Sequence, residues 1–437
     1  MSTGPTTAWT SLGPAASADR AGASGRLWVP VALAMFCCGW GGNQFTPLLL
    51  MYRRLGGYSE VTVDAFLAAY VVGLVPGLLV TGSLSDRYGR RSLMLVGTVS
   101  SVVASALLTA GALGPVPIFA GRLLTGIAVG IAMAVGSSWL KELSQPPFDP
   151  AADPGSGARR ASLSLTAGFG LGAGVAGVMA QWLPLPMVLP YLAHVAIGLP
   201  AVFVLVRVPE TRTGARTTAS LLADLRVPAA GHRRFLRVVL PMAPWVFGAA
   251  GVAYAVTPQL VSGRLGDHGL IYATALTVFT LGAGVLVQPL ARRLDSQSTA
   301  RAIIVAMTLM AVGMVMSTVN AALLSPWLGL AGAVVLGGAY GIAVVSGLLE
   351  IQRIARPDDL AGLIGVYYAL SYLGFLLPTV LAALAPLASY AVMLGVVTLV
   401  ALACLMIIVR GSRAHLPLGS AAEPVPVTPA INQGCVD

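Results

Sequence analysis

Apolar runs long enough to cross a bilayer recur along the whole chain, and nothing else in it restricts the fold as much. About 20 apolar residues in a helix span the roughly 30 Å of hydrocarbon in a membrane. Twelve such runs are readable, at 28–50, 61–83, 92–113, 118–143, 163–182, 187–207, 238–262, 270–291, 302–323, 327–349, 361–384 and 389–409. Hydrophobic residues make up 57% of the 437 and charged residues 10%, a balance that lipid can solvate and a water-soluble core cannot hide. The expected fold is an all-α integral membrane protein with twelve transmembrane helices.

Arginine placement orients these helices. With the amino terminus in the cytoplasm, 22 of the 26 Lys and Arg fall in inner segments, three (Arg53, Arg54, Arg264) in outer loops, and Arg122 within a span. That asymmetry predicts a multi-pass protein of the cell membrane with both termini cytoplasmic. The net charge of +10 is scattered over short loops, so it reports topology and contact with the lipid bilayer, and no nucleic-acid surface is expected. Residues 1–26 and 411–437 read as disordered cytoplasmic tails, the second broken by Pro417, Pro424, Pro426 and Pro429. The first apolar run is too long for a signal-peptide core and is expected to remain as a helix. Cys37, Cys38, Cys404 and Cys435 lack metal-ligand spacing and read as small apolar fillers.

The chain divides at its longest charged inner segment into a six-helix bundle over 27–207, a cytoplasmic linker over 208–237 and a second six-helix bundle over 238–410. Thr46-Pro47-Leu48-Leu49 in span 1 is echoed by Thr257-Pro258-Gln259-Leu260 in span 7. The interval Gly130–Glu142 in span 4 is repeated as Gly338–Glu350 in span 10. Pseudo-symmetric halves of this kind build many secondary transporters, with the site at their interface.

Between spans 2 and 3 lies Gly82-Ser83-Leu84-Ser85-Asp86-Arg87-Tyr88-Gly89-Arg90-Arg91, read as a tight charged turn at the membrane surface. It matches at every position the first signature of the major facilitator superfamily, and residues 27–410 resemble that family's twelve-helix members. Arg122-Leu123-Leu124-Thr125-Gly126 with Gly130 resembles the family's arginine signature. Gly168, Gly172, Ala173 and Gly177 resemble its glycine-proline antiporter signature, with Ala173 and Ala176 standing where proline and glycine are expected.

The resemblance implies alternating access, with Asp86 engaging the opposite half when the cavity faces outward. Gly82 and Gly89 are expected to permit close helix approach and a tight reversal, and Arg90 to reach Glu142. Arg87 and Arg91 complete the gating motif, whose alternative is a static salt-bridge cluster that fixes topology. Glu350 with Arg293 or Arg353 is the expected counterpart. Arg122 and Asp64 are the charges inside spans, at similar depth in helices that neighbour one another in the family. They are expected to snorkel separately to the outer interface, to form a proton-coupling ion pair, or to leave Arg122 as a substrate ligand. Trp40, Asn43 and Gln44 form a polar face on span 1, open to substrate contact or to interhelical hydrogen bonding. Tyr254, the two-fold counterpart of Asn43, and Gln259, Tyr340, Tyr367 and Tyr368 are further substrate-binding candidates. The glycine pairs Gly126/Gly130 and Gly168/Gly172 are expected to serve helix packing.

No phosphate-binding loop is present, and the four histidines lack ligand spacing, so no enzyme activity, metal or cofactor is expected. The reading is a monomeric secondary transporter with a small organic substrate and protons as coupling ion. Scarce intramembrane charge favours efflux of an amphiphilic metabolite or drug. Proton-coupled uptake of a sugar or other metabolite is the alternative, and a non-transporting membrane sensor the reading from another class.

Overall fold

The computed structural model describes residues 26–153, 155–212, 227–296, 298–355 and 360–413. The expected disordered tails and most of the linker lie outside them. Among the described residues the chain is helical throughout, with no strand. Ten helices are long and apolar enough to cross a membrane: α2 Glu60–Tyr88, α3 Arg90–Leu113, α4 Pro115–Leu143, α5 Ser156–Trp182, α7 Phe235–Arg264, α8 Gly266–Leu294, α9 Arg301–Leu323, α10 Pro326–Ile354, α11 Gly362–Leu384 and α12 Tyr390–Gly411. The two other expected spans are present in altered form. Helix α1 is broken, running over Trp28–Asn43, through a 3₁₀ turn at Thr46–Leu48, and on over Leu49–Arg54. Pro47 supplies no N–H to the carbonyl one turn back, so the ladder cannot continue through it. Helix α6, Leu189–Leu205, has only 17 residues, about 25 Å of rise.

The largest correction falls on the charged motif. Helix α2 runs on through Tyr88, so residues 82–88 are its last two turns and only Gly89 reverses the chain. Gly89 has φ +93° and ψ 152°, a conformation that a side chain opposes. The motif looks like a loop because a helix end that leaves the bilayer is polar. Ser59, Ser325 and Ser389 begin α2, α10 and α12 by accepting the N–H three residues on, at 3.2–3.4 Å.

The halves are built alike. In the first, α1 packs on α5, α2 on α4, and α3 on α4 and α6; in the second, α7 packs on α11, α8 on α10, and α9 on α10 and α12. The bundles meet along α5 against α8 and α2 against α11. Backbones touch where glycine permits it. A Cβ on Gly126 would lie 2.0 Å from the Tyr70 carbonyl oxygen, and one on Gly168 2.2 Å from that of Phe36. Gly82, by contrast, has nothing within 4 Å of its Cβ position, so the close approach expected there is not made. Helix α4 widens into a π-turn at Ala132–Gly136, and α7 does so at its start, Phe235–Val239, and again at Val252–Val256.

Gly126→Ala is expected to destabilise the protein by about 1–3 kcal/mol, because α2 and α4 have no slack to separate locally. Gly82→Ala is expected to be neutral or stabilising by up to about 1 kcal/mol through helix propensity. Thermal unfolding of both variants in detergent, against the parent, measures the difference.

Candidate functional site

Arg122 lines a cavity between the bundles and is fully buried, so it does not snorkel to the surface. Its Nε donates to the Phe66 carbonyl at 3.3 Å and its Nη1 to the Gly42 carbonyl at 3.4 Å. The guanidinium carbon lies 4.6 Å from the Phe45 ring centroid and 4.7 Å from that of Tyr70. Its Nη2 meets no protein acceptor. The break in α1 presents this surface, because Gly42 sits in the last turn before the helix ends. Asn43 holds the broken end in place, donating to the Phe169 carbonyl at 3.1 Å and accepting from Thr46 at 2.7 Å. Two aromatic faces and two carbonyls soften the burial of the charge, and no carboxylate among the described residues neutralises it.

Asp64, 1% exposed, is not paired with Arg122. Its carboxylate accepts from Gln259 Nε2 at 3.1 Å, and its backbone carbonyl from Thr379 at 2.7 Å, both in the second bundle. This corrects the expected ion pair: Arg122 reaches inward from α4 to the break in α1, whereas Asp64 faces the other half.

A cavity of about 50 Å³ opens beside Arg122, lined by Asn43, Thr46, Tyr70 and Phe169 of the first bundle and Phe247, Tyr254, Tyr340, Tyr372 and Phe375 of the second. With the rings as they stand it has space for only one or two waters. The rings interlock: Phe247 stacks on Tyr372 with centroids 4.1 Å apart, and Tyr70 meets Tyr372 at 6.1 Å across the interface. Of the substrate-binding candidates, Asn43, Tyr254 and Tyr340 line this cavity. Gln44 is instead buried in a chain, donating to Ser105 at 2.8 Å, which contacts His194 Nδ1 at 2.8 Å. Trp40 packs edge-on against Phe36, Tyr367 donates to the Ala343 carbonyl at 3.1 Å, and Tyr368 packs against Tyr367. None of these four belongs to the cavity lining.

Gln259 belongs to a lock between the bundles at the end away from the arginine-rich one. Its Oε1 accepts from Arg53 Nη1 at 3.1 Å; Arg53 pairs with Glu60 at 3.7 Å, and Glu60 accepts from the Tyr390 hydroxyl. Arg54 spans the junction of α7 and α8, donating to the Ser262 carbonyl at 3.4 Å and to the Gly266 carbonyl at 2.8 Å. Gln181 bridges the next turn, donating to the Asp267 carbonyl at 2.9 Å and accepting from Ile271 N at 3.0 Å.

At the arginine-rich end, polar contacts between described residues stay within each bundle. Asp86 pairs with Arg90 at 2.9 Å and Arg212 at 3.4 Å, both in its own half, so the expected contact with the opposite half is not made in this conformation. Arg90 reaches Glu142 at 3.1 Å, as expected, and also donates to Ser85. The backbone N–H groups of Arg90 and Arg91 donate to Glu210 at 2.8 and 2.9 Å, so Glu210 caps α3 from the end of α6. Arg87 is partly buried beside them. In the second half Glu350 pairs with Arg234 at 2.7 Å and with Arg353 at 2.8 Å, and Arg353 also pairs with Asp295. Arg293 is not the partner. Sequence reasoning missed Arg234 and Glu210, which look like ordinary linker charges.

The Major Facilitator Superfamily model matches residues 31–379. The chain is 34% identical to a gallate transporter of Pseudomonas putida over 130 residues, covering 29% of this chain and 26% of that one. It is 30% identical to the 4-hydroxybenzoate transporter PcaK of Pseudomonas aeruginosa over 217 residues, covering 48% and 43%. The match thus spans less than half the length of these curated relatives. A D-xylose-proton symporter structure superposes with a TM-score of 0.67 at 15% identity, over 87% of this chain and 96% of that one.

Glu350→Ala, which strands Arg234 without its buried carboxylate, is expected to cost about 3–5 kcal/mol. Arg353→Ala, at the more accessible end of the same cluster, is expected to cost less. Thermal-shift measurements of the purified variants give the ranking.

Proposed function

The chain belongs to the Major Facilitator Superfamily, and from that premise we propose that it carries small aromatic carboxylates across the cell membrane together with a proton. The observation that carries this reading is Arg122: a buried guanidinium with an unused N–H, facing a cavity walled by aromatic rings. A carboxylate on Arg122 supplies the missing negative charge, and the substrate ring takes its place among Tyr70, Phe247, Tyr254 and Tyr372. The similarity to carriers named for gallate and 4-hydroxybenzoate supports the same substrate class.

Coupling follows from charge. Importing a monoanion against an inside-negative potential costs about 2.3 kcal/mol per 100 mV, and one accompanying proton makes the translocation neutral. Asp64 is the proposed proton carrier. Closing the lock around it removes it from water, which costs less for a carboxylic acid than for a carboxylate. The lock therefore closes most readily with the proton aboard, the sign that import requires. Asp86, Arg90 and Glu142 are proposed to bias the opposite end of the cycle, with both termini cytoplasmic as the arginine asymmetry indicates. Export, favoured by the apolar cavity, uses the same parts in reverse and is distinguished by the direction of gradient-driven movement.

Proteoliposomes with an alkaline interior should accumulate labelled 4-hydroxybenzoate. Arg122→Gln should weaken its binding by about 10- to 100-fold, the worth of a charge-assisted contact. Asp64→Asn should keep exchange without a gradient and lose accumulation. Unchanged binding in Arg122→Gln would sink the proposed carboxylate contact.

For topology, single cysteines replacing Gly56 or Ala230 in a background lacking the native cysteines should differ in intact cells. An impermeant reagent is expected to label position 56 and not 230, and the reverse pattern would overturn the orientation.

A further inference from the structure

A second cavity, about 570 Å³ in volume, lies on the second bundle at the lock end, and it shares no residue with the central one. We propose that it binds an anionic phospholipid, with the phosphate on Arg264 and His268 and one acyl chain in the groove between α8 and α10. The lining divides by chemistry. Arg264, the last residue of α7, and His268, in the first turn of α8, supply the basic end of the lining, while Ile271, Ala275 and Leu330 supply an apolar wall further along α8 and α10. From His268 to Ala275 the wall is two helical turns deep, about 10 Å, and so reaches into the acyl region. Trp327, 81% exposed, stands beside it at the start of α10. An exposed indole at a helix start is the usual marker of the headgroup level.

Charge complementarity selects the occupant. Arg264 is exposed and joins no ion pair among the described residues, so its guanidinium is available to a phosphate oxygen. Asp267, the acid of the same turn, is outside the lining, and its backbone carbonyl is held by Gln181 from the other bundle. The groove is also a fixed feature, since the Tyr272 hydroxyl donates to the Pro326 carbonyl at 2.8 Å and ties its two walls together. A soluble anion would use the rim and leave the apolar wall unused, whereas a diacyl lipid uses both.

The test is hydrogen–deuterium exchange and thermal shift on the full-length protein in detergent, with phosphatidylglycerol, phosphatidylcholine or inorganic phosphate added. Phosphatidylglycerol is expected to protect residues 262–275 and to raise the melting temperature by several degrees, with phosphatidylcholine and phosphate producing neither. Arg264→Gln/His268→Gln should abolish the response while keeping the melting temperature in phosphatidylcholine. Leu330→Trp, which fills the apolar wall without touching the rim, should abolish it as well. Equal protection by phosphatidylcholine overturns the charge selection, and protection by phosphate alone overturns the lipid. A full response in either variant removes the groove from consideration, as does no response in the parent.

Discussion

A whole positive charge buried within a membrane-spanning helix, with no carboxylate opposite it among the described residues, is the constraint around which its surroundings are arranged. Arg122 costs free energy wherever lipid is the solvent, and each neighbouring feature reduces that cost by an available means. Helix α1 breaks, and the Gly42 carbonyl becomes an acceptor. Phe45 and Tyr70 turn their ring faces to the guanidinium. These are partial measures, and the N–H they leave unused is what the proposed carboxylate contact rests on. Arg234, equally buried, has both oxygens of Glu350 at 2.7 and 2.9 Å and is fully engaged by the fold itself.

The same distinction orders the two ends of the molecule. At the arginine-rich end, Arg90 with Glu142 and Arg234 with Glu350 each bind helices within one bundle. At the other end, Arg53, Arg54, Asp64 and Gln181 all reach across to the second bundle. Contacts of the first kind tie helices within one half, and those of the second kind are the ones that would break in the proposed rocking of the halves. Rigid halves with a breakable contact between them are what alternating access needs. The crossing contacts are single hydrogen bonds, several of them to a charged side chain, and none is an ion pair between the bundles among the described residues.

Much of the architecture was legible because hydropathy is a direct record of what lipid requires. Most span boundaries agree with the helices to within a few residues, α5 beginning seven residues early and α2 and α10 running five residues on, and the two-fold read from Thr46-Pro47 and Thr257-Pro258 is repeated in the packing. The helical run of residues 82–88 was not legible, since a polar helix end and a polar turn have the same composition. Arg122 stood out as a misplaced charge, yet its surroundings come from α1, α2 and α4 and no single segment announces them. Asp64 and Gln259 are 195 residues apart, and only the folded interface pairs them. Gln44 failed as a cavity residue because periodicity gives the face of a helix and not the identity of what lies against it: Ser105 and His194 were waiting there.

The π-turn at Val252–Val256 has a further consequence. A wider turn holds one more residue than the α-turn it replaces, which rotates everything beyond it by about 100° about the helix axis. Tyr254, inside that turn, faces the aromatic cavity, while Gln259, just past it, faces Asp64 on the other bundle. The added residue therefore acts as a phase shift, setting the directions of two functional surfaces on one helix independently of each other. Variation along α7 can then alter the side chains that line the aromatic cavity without re-aiming those that meet Asp64, so the two surfaces can change as separate traits.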